Sequence, residues 1–169
     1  MPLMLIQDIK PAYLEPVPQS FAALMDLYEA NYIRLRQLCP ELGDLQGEYV
    51  SRVAGAMDLH LEVLEHTPYT STARLTYLFE EPDGTRRSPD LLVRMFHDAR
   101  QVEVLGRHCR PLDVNITVED LPRQRSLACK WRLNRFLFKW LGYSLRQGHR
   151  FHLPETDTPA AGLPLEIAP

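Results

Sequence analysis

The stretch LPRQRSLACKWRLNRFLFKWLGYSLRQG, residues 121–148, is the longest periodic segment of the chain: no proline follows Pro122 and no glycine precedes Gly142. At about 100° per residue, Leu127, Trp131, Leu133, Leu137, Phe138, Trp140, Leu141 and Leu145 fall within one half of a helical wheel. Arg125, Arg132, Arg135, Lys139 and Arg146 gather on the opposite arc. The spacing predicts an amphipathic helix with a basic outer face, and Trp131, Leu137 and Leu141 are expected to cover whatever apolar surface the rest of the chain supplies.

That surface comes from residues 47–105, where the apolar period changes from 3.6 to 2. Leu59, Leu61 and Val63 alternate with Asp58, His60 and Glu62, the pattern of a sheet with one wet face. Glu48 to Ala54 and Met57 to Glu65 flank Gly55-Ala56 and read as a hairpin. A third strand carries Ala73, Leu75, Tyr77 and Phe79, and Pro82-Asp83-Gly84 signals a turn. Leu91 to Phe96 and Val102 to Leu105 complete about five strands, whose short connections imply an antiparallel meander. Upstream, Ser20 is placed to cap a helix from Phe21 to about Leu38, with Asn31 alone as a polar residue inside its apolar arc. The fold class is therefore α+β: an antiparallel meander covered on one face by an N-terminal and a long C-terminal helix.

The chain reads as one domain over 20–152, preceded by an extended proline-rich arm at 1–19 and followed by an irregular proline-rich tail at 153–169. Its 169 residues suffice for one substantial core. The start lacks the pattern of a signal peptide, and no run approaches the roughly 18 apolar residues of a membrane span. Three widely spaced cysteines, Cys39, Cys109 and Cys129, argue against a disulfide framework, so the expected compartment is the cytoplasm. Charge is asymmetric: residues 1–69 hold four basic and ten acidic side chains, and residues 119–152 hold eight basic and two acidic. With a pI near 6.1, an acidic face meeting a basic one within the fold is favoured over a polyanion partner.

Four stretches, MDLYEANYIRLRQLCP (25–40), PYTSTARLTYLF (68–79), VRMFHDARQVEV (93–104) and NRFLFKWLGYSLRQG (134–148), together resemble the YqiB-like family of bacterial cytosolic proteins, a domain of unknown function. The resemblance implies no established activity. Family genes often stand near those for an ADP-ribose hydrolase and a cyclic-AMP phosphodiesterase, an association with nucleotides but not a mechanism. The family pattern has counterparts of Asn31, Tyr69, Thr70, Arg94, His97, Asp98, Asn134, Trp140 and Tyr143, and none of Arg132, Arg135 and Lys139.

Candidate chemistry is sparse. His97 and Asp98, at a tight turn, are the candidate proton-handling or phosphate-contacting pair, although adjacent residues rarely address one substrate and an aspartate in a turn commonly bonds local backbone. On a strand Arg94 shares one face with Phe96 while His97 takes the other unless the turn re-aims it; Tyr69, Thr70 and Arg100 are the expected co-workers on neighbouring loops, and with Arg94 they form a sheet-loop binding surface. The basic stripe (Arg125, Arg132, Arg135, Lys139, Arg146) offers a weaker polyanion surface, and it reads more simply as a solvated face. Neither metal nor cofactor is expected, because His108-Cys109 and His149-x-x-His152 match no ligand pattern. Asn31 and Asn134 each sit in an apolar arc and must find hydrogen-bond partners, since an unpaired amide there costs about 1–3 kcal/mol.

The reading that follows is a non-enzymatic binding or adaptor domain, its surface offered to a protein partner or a small anionic ligand. The alternatives are an enzyme acting on a nucleotide or other phosphate compound, and nucleic-acid binding through the basic C-terminal helix. Oligomeric state leaves no trace in the sequence.

Overall fold

The computed structural model describes residues 20–107, 110–111 and 127–153. The arm at 1–19, the tail from 154 onward and residues 121–126 of the stretch expected to be helical, with Arg125, lie outside the described residues.

Helix α1 spans Phe21–Leu38. The Ser20 hydroxyl accepts the Ala23 N–H at 3.1 Å, meeting one of the unpaired donors of the first turn. Phe21 is 65% exposed, so the buried arc begins at Ala23 and Leu24 and runs through Leu35 and Leu38. Pro40 cannot continue the helix, and the Cys39 N–H closes it on Leu35 O at 2.7 Å. A short 3-10 turn at Leu42–Asp44 leads into the sheet.

The sheet runs in sequence order from one edge to the other: β1 (Gly47–Ser51), β2 (Leu59–His66), β3 (Thr70–Glu81), β4 (Gly84–Phe96), β5 (Gln101–Arg107) and a two-residue β6 (Arg110–Pro111). Every pairing is antiparallel. The five long strands are the expected meander, and two of its connections differ from the sequence reading. Residues 52–58 form a loop longer than a Gly55-Ala56 turn, closed by an Arg52–Asp58 ion pair at 3.3 Å. β4 begins at Gly84, paired with Glu81, seven residues before Leu91. Thr85 to Arg87 are exposed on both faces, so that part of the ribbon carries no apolar alternation to read.

Leu59, Leu61 and Val63 of β2, Ala73, Leu75 and Tyr77 of β3, Leu91, Val93 and Met95 of β4, and Val102 and Val104 of β5 form the inner face. Helix α2, Leu127–Gln147, closes over it with Leu133, Leu137, Trp140 and Leu141. Trp140 meets the Tyr77 ring edge-on at 5.4 Å between centroids. Trp131, expected over the sheet, is only half-buried and lies outside this cluster, because Leu133 and Leu137 hold the facing positions. Against α1, α2 packs through Gly142, where a Cβ would run into the Arg34 guanidinium that lies over the Phe138 ring.

The outer face of β3 is buried as well. Arg74, 3% exposed, lies 3.4 Å from the Glu62 carboxylate, its cross-strand partner, and 3.5 Å from Asp90. Two carboxylates around one guanidinium compensate the charge that β3, in the middle of the sheet, takes out of water.

Candidate functional site

Because the sheet is a meander, the β2–β3 and β4–β5 connections emerge at the same end. The first is locked by Thr67: its N–H donates to Thr70 O at 2.8 Å, and its hydroxyl accepts from Thr70 N–H at 3.0 Å. The second is tied to the first by the His97 N–H, which donates to Tyr69 O at 2.8 Å. Tyr69, Thr70, His97, Asp98 and Arg100 therefore share one end of the molecule. Tyr69 is 65% exposed there, beside exposed Asp98, Ala99 and Arg100.

Arg94 does not join them. It lies three positions before His97, and side chains alternate along a strand, so the two take opposite faces. Arg94 Nε donates to Thr72 Oγ1 at 3.2 Å on the outer face. His97 turns inward, its Nε2 2.8 Å from Ser71 Oγ, and Ser71 Oγ lies 3.3 Å from His66 Nδ1. The 3-10 turn lies against the His97 ring, where even a Cβ on Gly43 would sit at an ordinary contact distance of 3.4 Å. Burial pushes the His97 pKa below the ordinary histidine value and the His66 ring adds to this, while Asp44 and Asp98 oppose it. His97 is consequently a neutral hydrogen-bonding ring.

Asp98 does something else. Its Oδ1 accepts the Ala99 N–H at 2.9 Å, a local turn contact. Arg100 adopts a left-handed backbone (φ 56°) and lies 5.7 Å over the Tyr32 ring. His97 and Asp98 are thus neighbours in sequence with separate partners. Ser71 and His66 also belong to this end, and no local pattern marks them: only the β2–β3 register, which pairs His66 with Ser71, brings them together.

On α2, Arg132, Arg135, Lys139 and Arg146 are exposed. Among the described residues, Arg132, Arg135 and Lys139 enter no ion pair or hydrogen bond. They line an open groove of about 380 Å³ with Ala128, Trp131 and Phe136. Phe136, outside the apolar half of the wheel, is 44% exposed.

The two asparagines find each other. Asn31, fully buried, donates from Nδ2 to the backbone oxygen of Asn134 at 3.1 Å. Asn134, also fully buried, accepts the Val104 N–H on Oδ1 at 2.8 Å and donates to Lys130 O at 2.8 Å. One amide thereby joins α2 to the β5 backbone, and the other joins α1 to α2. His149 is likewise buried, its Nδ1 2.9 Å from Ser51 Oγ, and fastens the segment after α2 to β1.

Other chemistry is limited. The buried Cys39 thiol is pushed up to about 12 by burial, which makes it a core residue and not a nucleophile. Cys129 is disulfide-bonded, which departs from the expectation of unpaired thiols. No three His, Cys, Asp or Glu side chains among the described residues are grouped to hold a metal ion. Among the same residues, no helix is long and apolar enough to cross a membrane.

Residues 34–150 match the family described as "Protein of unknown function (DUF1249)". The chain belongs to this family. It is 30% identical over 131 residues to the protein called "Uncharacterized protein YqiB" in Escherichia coli K12, a match covering 76% of this chain and 90% of the relative. Proteins of the same name in the O6:H1 and O157:H7 strains match to the same extent. No solved structure matches. The DUF1249 match takes in the whole sheet, both loops of the site, Asn134 and His149, and begins three residues after Asn31.

Proposed function

We propose that this DUF1249 protein is a non-enzymatic binding domain whose contact surface is the loop end of the sheet, and that its partner is another protein. One observation carries the reading: the two loops are bonded to each other through His97 N–H and Tyr69 O, yet Tyr69 stays 65% exposed at the end that also carries exposed Asp98 and Arg100. An aromatic side chain held on a rigid frame loses little freedom on binding, and such residues dominate protein interfaces. The enzyme alternative draws less support, because His97 and Asp98 are engaged separately, with Ser71 and with Ala99.

The test places a photo-crosslinking amino acid at Tyr69 of the full chain in cells. A discrete adduct is expected, lost in Arg100→Glu and not formed from the same probe at Asp83, at the opposite end. Equal adducts from both positions, or none from Tyr69, refute the reading. A small anionic ligand is the second form of the same site, supported by His66, His97 and Arg100 standing together at one end. A thermal shift with one nucleotide or cyclic nucleotide, abolished by His97→Ala, would transfer the proposal to that ligand class.

A further inference from the structure

The outer face of α2 presents a combination that neither the core nor the loop end explains. The helix carries five cations, Lys130, Arg132, Arg135, Lys139 and Arg146, and no acidic residue. Three of them, Arg132, Arg135 and Lys139, are exposed and unpaired among the described residues. Between them stand two aromatic rings, half-buried Trp131 and 44% exposed Phe136, lining the same groove. Phe136 is itself backed by Trp140 at 6.1 Å, and Trp140 by Tyr77, so the exposed ring rests on a stack anchored in the sheet.

We infer that this groove binds single-stranded nucleic acid, the rings stacking on bases while the three cations contact phosphates. The geometry suits the chemistry. Residues 128 to 139 rise about 16 Å along the helix, and the cations from 132 to 139 span about 10 Å, the length of roughly three stacked nucleotides. Stacking tolerates any base, since each has a π-face, and it requires the base to be unpaired. A membrane surface fits less well: the apolar side of α2, Leu133, Leu137 and Leu141, is buried under the sheet and is not free to enter lipid. The aromatic interleaving escapes a wheel count that assigns Trp131 to the buried side and ignores Phe136. The site is independent of the loop end, and either can fail without the other.

The experiment titrates full-length protein with fifteen-nucleotide oligo-U and oligo-dT, following tryptophan fluorescence and, in parallel, anisotropy of the labelled strand. Both strands are expected to bind and to quench Trp131, and a duplex of equal length is expected to bind at least tenfold more weakly. With three phosphate contacts the slope of log K against log salt is about −2, so affinity falls roughly twentyfold between 50 and 200 mM salt. Phe136→Ala should weaken binding at least fivefold. Arg132→Gln/Arg135→Gln/Lys139→Gln should remove most of the salt dependence, and Tyr69→Ala should change nothing. All these positions but Trp131 are exposed, so folding is expected to survive, and a circular-dichroism melt of each variant checks it.

No binding at 50 mM salt overturns the proposal. So does a duplex that binds as well as the single strands. Equal binding to phosphatidylglycerol vesicles with no effect of Phe136→Ala also overturns it, leaving a surface that senses charge alone.

Discussion

Asn134→Leu isolates the bond by which the long helix is joined to the sheet. In the native protein Asn134 Oδ1 accepts the Val104 N–H at 2.8 Å in a fully buried position. Leucine has similar length but no acceptor, so the Val104 N–H is left unsatisfied inside the core at about 1–3 kcal/mol. The second bond of the amide, from Nδ2 to Lys130 O, is worth less, because that carbonyl also receives the ordinary helical bond of residue 134. Greater apolar burial by leucine offsets part of the loss, leaving a net destabilisation of about 1–2 kcal/mol. For a chain of this size, each kcal/mol moves the melting temperature by about 2–4 °C, so a fall of about 2–8 °C is expected.

Asn31→Leu should cost less. Asn31 Oδ1 is buried without a partner, and the bond from Nδ2 goes to a backbone oxygen already placed within α2. Replacement removes one weak bond and one unsatisfied acceptor together, for a net change of about 0–1 kcal/mol. Thermal and urea unfolding measure both variants, and native-state hydrogen exchange should show the Val104 amide losing protection only in Asn134→Leu. A melting temperature for Asn134→Leu equal to or above the wild type, or a larger loss in Asn31→Leu, refutes the assignment of the bridge to Asn134.

Three further outcomes can be measured. Gly142→Ala gains roughly 1 kcal/mol of helix propensity but displaces the Arg34 guanidinium from the Phe138 ring, so it should stabilise the Arg34→Ala background more than the wild type in paired urea unfolding. Arg74→Met leaves Asp90 and Glu62 without their shared cation and should cost about 3 kcal/mol by urea unfolding; the more accessible Glu62→Gln should cost well under half of that. Stability should also fall with acidity. Burial is the largest cause lowering both the His149 and the His97 pKa, so both rings stay neutral in the folded state while the unfolded chain takes up protons from about 6.5 downward. Their contribution is complete above that value and is lost as pH falls through the folded values, and His149→Gln should flatten a melting-temperature profile taken between pH 7.5 and 5.5.

Periodicity determined the two helices and the order of the strands, and the residue type at Ser20 marked the cap of the first helix. The core positions Leu59, Leu61, Ala73, Leu75, Leu137 and Leu141 repeat at 2.0 or 3.6 residues because burial on one face imposes that period. Where burial is absent, as in Thr85 to Arg87, or occurs on both faces, as along β3, the period vanishes and strand limits could not be read. The sequence also determined that Asn31 and Asn134 required partners, a statement about desolvation that holds in any fold. Who the partners are was decided by tertiary structure, since Val104 lies thirty residues from Asn134. The same holds for the functional surfaces. Alternation along the strand already separates Arg94 from His97 in the sequence, but His66, Ser71 and His97 meet only through strand register. Register is fixed by the summed packing of the sheet, and no local run of residues contains it.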